Sequence, residues 1–431
     1  MKLIIKINKA RFFAMSALFL TVSLFSAFIN AIELAQLISL AIENNPEAAR
    51  SKSLLSAAQS DIDAAEWQYY PTPSVEVISA DVSASDQSFL GDDYVATVGL
   101  VQPLWSGGLI TSRVREAESS FKISNAENQQ TLQDLSLRVL TAYTEWSGAH
   151  HRAKAWEEGF KIHQRLYGQV KRRTAGGASS DSDLALAQSR VLQIESELVA
   201  ASAEEESALA DLIELIGRSL STAELLVQPA SSLLVDFTKQ VLIANAQQNN
   251  PIIQQRLAAV ELAENQIKTV TAERMPEINL RLERQFGDLS FADSSPSNRI
   301  FVEFSSRFGA GLSVRSQANS ARLRLDAASA NVEAARRSIT AIIASEYALK
   351  KSVDRRLIAL RRSEEATRDV YESFERQFLS GSRSWLDLLN SARELTQVEV
   401  RRIDVEMSSV LVSWRLSILT QGLQPTLEKV S

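Results

Sequence analysis

The chain has 431 residues, a formal net charge of -6 and no cysteine. The missing thiols exclude disulfides and thiolate metal sites, and the acidic balance disfavours nucleic acid as a partner.

Residues 1–31 read as a secretory signal peptide. Lys2, Lys6, Lys9 and Arg11 form a basic head, and an apolar run from Phe12 to Ile29 follows. Small residues then place cleavage after Ala31, with Ala27 as the second choice. The competing reading, a membrane anchor, is weakened because the run is near the minimum for a helical span. Losing the four cations takes the mature chain to a charge of -10. No later segment is apolar enough to cross a bilayer as a helix, so a membrane crossing would use strands.

The mature sequence repeats itself. Asn44-Asn45-Pro46 returns about 205 residues on as Asn249-Asn250-Pro251, and Pro71 returns as Pro276. Further along, Gly107 answers Gly311, Tyr143 answers Tyr347, Gly177 answers Gly381 and Leu215 answers Leu419. A register kept this long implies two copies of one structural unit, neither able to bury its apolar surface alone. The expected division is 32–217 for the first repeat, 218–237 for a linker, 238–421 for the second repeat and 422–431 for a tail.

Each copy begins with short helices that break at Asn-Pro, with Asn as N-cap and Pro in the first turn. In copy one the helical pattern of 33–43 and 47–69 ends at Pro71 and Pro73. Alternating polar and apolar residues then predict β-hairpins over 74–104 and 277–308. In the second hairpin Ile278, Leu280 and Leu282 share one side, and Glu277, Asn279, Arg281 and Glu283 the other. Strands of about ten residues are long enough to cross a bilayer at a tilt.

A very long helix follows each hairpin, predicted over 110–174 and 312–379. Each would be roughly 100 Å long. In the first, Leu135, Val139, Ala142, Trp146, Ala149 and Ala153 keep a heptad-like rhythm. The second offers two seams, one through Leu323, Ala327, Ala330 and Ala334, the other through Leu325, Ala328, Val332 and Ile339. Two seams on one helix imply neighbours on both sides, as in a wall of helices. Glycine-containing turns at 175–177 and 380–382 lead to return helices over 183–216 and 385–421. Ser182, Asp183 and Ser384 are candidate caps. The return helix of one copy stacked on the leading helix of the next (251–274) would match the long helix in length.

Four strands cannot close a barrel, and an open edge cannot sit in lipid. Membrane insertion of these hairpins therefore requires more than one chain.

This order, and three motifs in particular, resemble the TolC family of outer-membrane efflux and type I secretion channels. The motifs are Asn45-Pro46 with Asn250-Pro251, the run Val98-Gly-Leu-Val-Gln-Pro-Leu-Trp-Ser-Gly-Gly108, and Gly381-Ser-Arg-Ser-Trp-Leu-Asp-Leu-Leu-Asn390. The resemblance implies a mainly α fold with a small β part. Duplicated long-helix hairpins would form a trimeric α-barrel tunnel, and four strands per chain would contribute to a 12-stranded outer-membrane β-barrel. It further implies a homotrimer, a periplasmic adaptor (membrane fusion) protein, an inner-membrane ABC or proton-driven transporter, outer-membrane lipid around the barrel, and no cofactor. The segment beginning Trp67-Gln-Tyr-Tyr-Pro is similar to the branch that secretes large adhesins.

By the same resemblance, Arg383, Asp387 and Asn390 match the periplasmic gate of copy two, and Ser182 and Asp183 their partners in copy one. Three copies of Asp387 would form a carboxylate ring that favours cations. The bland alternative makes Asp183 and Ser384 ordinary caps and leaves Arg383 in solvent. Trp67, Tyr69, Tyr70 and Trp105, at the helix–strand junctions, suit an aromatic girdle at the inner membrane boundary. Core packing is the alternative. His150, His151 and His163 do not share a helix face, so a metal site is not expected. The pairs Arg336-Arg337, Arg355-Arg356, Arg361-Arg362 and Arg401-Arg402 read as solvated faces. No phosphate loop or nucleophile elbow is present, so no catalysis is expected and energy for transport must come from elsewhere. The competing class is a periplasmic coiled-coil adaptor without a membrane barrel.

Overall fold

A computed structural model of the chain describes residues 32–81, 85–86, 88–225, 238–293, 295–306 and 313–428. The expected signal peptide and most of the expected linker lie outside these residues.

Copy one runs α1 (Leu34–Asn44), α2 (Pro46–Glu66), β1 (Thr72–Ser79), β2 (Tyr94–Trp105), α3 (Leu109–Ala175) and α4 (Asp181–Ile216). Copy two runs α5 (Lys239–Asn249), α6 (Pro251–Ala272), β3 (Glu277–Phe286), β4 (Ser297–Ser305), α7 (Val314–Leu379) and α8 (Trp385–Gln421). A further short helix, α9 (Leu423–Glu428), occupies part of the expected tail and packs on α8.

The helices form a wall of four columns. Helix α3 packs on α2 and α4 along one flank and on α6 and α8 along the other, and α7 packs on α6 and α8. Between the Asn-Pro breaks and the strands, Ser51 donates to Asn128 at 2.8 Å on one flank of α3, and Lys122 meets Glu261 at 2.7 Å on the other. Lower down, Arg152 of α3 reaches Glu204 of α4 at 3.1 Å and Asp404 of α8 at 3.0 Å. Gly159 is demanded by the close approach here: a Cβ at that position would lie 2.8 Å from the Thr396 hydroxyl of α8.

The short columns are stacked differently from the sequence expectation. Each return helix meets the leading helix of its own copy. Asn45, buried at the α1–α2 corner, caps α2 by accepting from the Glu47 N–H and donates Nδ2 to the Leu215 carbonyl in the last turn of α4. In copy two the tasks are divided. Asn250 accepts from the Ile252 N–H, and Asn249 donates to the Thr420 carbonyl of α8. The last carbonyls of a helix have no partner of their own, and the Asn corner supplies one. That requirement pulls the two ends together.

The core lies at the level of these corners. Trp146, Trp414, Leu37, Ile38, Leu135, Leu140 and Ile216 are buried together around α1. The counterpart in copy two gathers Leu242, Ile253, Ile343 and Leu416 around α5, with Tyr347 where copy one has Tyr143. The two seams of α7 have different fates. Val332, Ile339 and Val353 of one are buried within the chain, whereas in the other Leu323 is 60% exposed and Ala327, Ala330 and Ala334 are exposed. Within one chain it is α3, not α7, that has neighbours on both flanks.

The strands form one antiparallel sheet in the order β1-β2-β3-β4, so the hairpins of the two copies join through β2 and β3. Its register sorts most of the side chains. Val75, Val77, Val98, Leu100, Leu280, Leu282, Ile300 and Val302 share one face, and Glu76, Arg281, Glu283, Arg299 and Glu303 the other. The register slips between Pro103 and Trp105, where proline has no N–H for the ladder. Gly107 (φ 59°) and Gly108 (φ 87°) then turn the chain into α3, and a Cβ on Gly107 would lie 2.2 Å from that of Met275.

Replacing Asn45 with Ala removes an N-cap and leaves the Leu215 carbonyl without its side-chain donor. The expected cost is about 1–3 kcal/mol. Denaturant unfolding followed by helical circular dichroism should show it, with the exposed neighbour Asn44→Ala as control. Equal midpoints for both variants would refute the corner's role.

Candidate functional site: hairpin tip and sheet face

Both long helices end in the same way, because both need a left-handed residue to reverse direction. Gly177 (φ 75°) and Gly381 (φ 81°) supply it. The Ala178 N–H then donates to the Arg173 carbonyl at 2.8 Å, and the Ser382 N–H to the Gln377 carbonyl at 2.9 Å. Below these turns Leu166 of α3, Tyr371 and Phe378 of α7, and Leu388, Leu389 and Leu395 of α8 form a small core. The two hairpins are thereby held side by side at the tip.

The expected gate residues fall around this core. Ser180 and Asp183 form a reciprocal capping box at the start of α4, with bonds of 3.1 and 3.0 Å. Ser180, not Ser182, is therefore the cap, because the helix starts two residues earlier than the spacing suggests. Ser182 is exposed. Ser384 caps α8 by accepting from the Asp387 N–H. The Arg383 guanidinium lies 3.9 Å over the Phe374 ring, and its Nε is 3.3 Å from Asp387. Arg383 is thus fastened to its own hairpin. Asn390 is exposed one turn beyond Asp387. Periodicity gave no sign of the Phe374 contact, or of Arg173 stacked 5.2 Å over Phe378. An arginine beside a glycine turn, with an aromatic ring two turns back, is the signal that was there to read.

Higher up, α7 and α8 are linked by charges. Arg402 pairs with Glu364 and Glu406, and Arg361 pairs with Glu406 at 2.5 Å. The Arg402 side chain is only 20% exposed, so a solvated face is the wrong description for it. Glu364 sits across the helix interface, which single-helix periodicity does not reveal, whereas Glu406 is one turn on in α8 itself.

Trp67, Tyr69, Tyr70 and Trp105 are all exposed at one end of the sheet, which rules out core packing within the chain. The Trp67 and Tyr70 rings lie 5.0 Å apart, and the Tyr69 hydroxyl is 2.7 Å from that of Thr111. They border the apolar sheet face, where Val75 is 74% and Ile300 73% exposed. On the opposite face Arg281 pairs with Glu283, and Arg299 stands directly across from Glu283.

The histidines do not converge. His150 meets Glu205 at 2.7 Å, while the Nδ1 atoms of His151 and His163 bond their own helix at Ser147 and Gly159. No group of three metal-ligating side chains occurs among the described residues. Burial holds the imidazoles of both His151 and His163 below 6.5, and Arg190 and Arg393 add to this at His163.

Long helical hairpins joined to a sheet with one apolar and one charged face define the class of fold. The chain belongs to the outer membrane efflux protein family, whose profile matches residues 37–218 and again 242–416, once for each copy. It is an outer-membrane protein, and the family is one of channel proteins. The alkaline protease secretion protein AprF of Pseudomonas aeruginosa is 25% identical over 203 residues, which are 44% of this chain and 40% of that protein. The crystal structure of CusC, described with transmembrane channel formation, has the same fold: TM-score 0.76, 17% identity, 93% of this chain and 96% of that one. The outer membrane protein VceC of Vibrio cholerae superposes with a TM-score of 0.74 at 16% identity, over 90% of this chain and 96% of that one.

His163 has a lowered native pKa, so the unfolded chain binds more protons and stability falls as pH drops below 6.5. Thermal melts of the helical signal between about pH 7.5 and 5.5 should show this loss, and His163→Gln should flatten part of it. Identical slopes for parent and variant would exclude His163 as a source.

Proposed function

We propose that three copies close into one conduit that serves as the outer-membrane exit duct of a tripartite system. In this reading it passively conducts substrate from an inner-membrane transporter, through a periplasmic adaptor, across periplasm and outer membrane. The carrying observation is that sheet and wall are open on matching sides. β1 and β4 are unpaired edges of the described sheet, α7 exposes an alanine-rich seam with Leu323, and α4 exposes Leu192 and Val199. One rotation that sets β4 beside β1 also sets the α7 column beside the α2–α4 column. Three copies give twelve strands and twelve columns, with the charged sheet face inside and the apolar face in lipid. A periplasmic adaptor without a barrel would have no use for that apolar face. The similarity to a protease secretion protein supports an exported polypeptide as cargo, and so a type I secretion partner.

The tip serves as the gate in this proposal. Arg383 holds the shape of the turn through Phe374 and Asp387, closure would seat that turn against the neighbouring hairpin, and the carboxylate ring sets ion preference. The pair is partly exposed, so solvent reduces each copy to ~0–1 kcal/mol, and three copies act together.

In a planar bilayer the trimer should conduct and prefer cations. Arg383→Ser should raise the open population by up to about tenfold, and Asp387→Asn should weaken cation preference. Normal trimers with parental conductance and selectivity would reduce these residues to caps.

Cells lacking the protein should retain an exported polypeptide that they still synthesise. An unchanged set of exported proteins, with altered drug sensitivity instead, would move the assignment to small-molecule efflux.

A further inference from the structure

Of the three arginines on β3 and β4, two lie on the charged face of the sheet. Arg281 pairs with Glu283, and Arg299 stands opposite the same carboxylate. The third, Arg284, is on the other face. It aligns with Val98 of β2 and Asn298 of β4, and follows Leu280 and Leu282 along the apolar side of its own strand. No carboxylate pairs with it among the described residues. Its guanidinium lies 5.1 Å over the Phe286 ring, two residues nearer the loop end.

We propose that Arg284 and Phe286 form a binding position for the phosphate of an outer-leaflet lipid. The inference rests on the reading of the sheet as a barrel segment. An arginine on the lipid face is costly at mid-membrane and nearly free at the interface. Arg284 stands about 7 Å from the loop end of β3, within reach of a headgroup. A guanidinium offers a planar fork of donors matched to phosphate, and stacking on Phe286 fixes the plane of that fork. The Asn298 amide, directly across, adds a polar neighbour. Beside them the apolar face has a depression of about 450 Å³, lined by Val98, Leu100, Leu282, Arg284, Asn298 and Ile300. Charge at the rim and apolar side chains below match a headgroup above an acyl chain. Tyr94, exposed on the same face at the loop end, extends the aromatic edge.

The test is native mass spectrometry of the detergent-solubilised full-length protein with added phosphorylated lipid A. The parent should retain it, and dephosphorylated lipid A should bind about tenfold more weakly. Arg284→Gln should lose a similar factor, whereas Arg281→Gln on the charged face, outside the lining of the depression, should bind as the parent does. Inorganic phosphate at the same concentration should not compete. Equal binding by Arg284→Gln and parent, or no preference for the phosphorylated lipid, overturns the proposal. Effective competition by inorganic phosphate would make this a free-anion site and also overturn it. The oligomer band and bilayer conductance are read on the same samples. If they are absent from the parent, the barrel reading fails and this proposal with it; if they are present, a negative result falls on the lipid site alone.

Discussion

The backbone groups along the outer edges of β1 and β4 have no partner in the described chain, and hydrocarbon offers none. A soluble protein could leave such edges to water or blunt them with charge. Here the sheet faces carry the opposite instruction, because one side is mainly a surface of Val, Leu and Ile. A sheet that must lie in lipid and cannot close on itself has to borrow its closure. The helical wall obeys the same constraint with different chemistry. Its open sides are seams of alanine and leucine, which need shape rather than hydrogen bonds.

Duplication explains how one chain carries both kinds of edge. Two equal units placed side by side produce one internal contact and two free flanks. The internal contact falls to α3, which is packed along both sides, and α7 is left with a bare seam. Equivalent positions in the repeats therefore have unequal burial. Tyr143 is inside a dense core of eighteen buried residues, and its counterpart Tyr347 lies at the border of a smaller one.

Elements were legible in the sequence because local signals specify them. Pro71 and Pro73 end a helix whatever surrounds them, and Gly177 and Gly381 reverse one. The alternation of 277–283 also assigned its faces correctly, since a strand's period follows from backbone geometry alone. What the sequence did not reveal were choices between partners of similar chemistry. Nothing local says that α4 should meet α2 rather than α6; the donation from Asn45 to Leu215 spans 170 residues. The same holds at the tip, where Ser180 and Ser182 are equally good caps by type, and only the start of α4 separates them. Arg402 looked solvated because Glu364, which faces it, comes from another helix, α7.

The Asn corners have a mechanical consequence. Both short columns are interrupted at one height, and α3 and α7 alone cross that height as unbroken helices. Continuity between tip and sheet is carried there by these two helices, by the carboxamide links of Asn45 and Asn249, and by side-chain packing. The level of the corners is therefore a joint. On one side of it the columns run into a single hydrogen-bonded sheet, and at its own level the buried Trp146 and Trp414 pack the core of copy one.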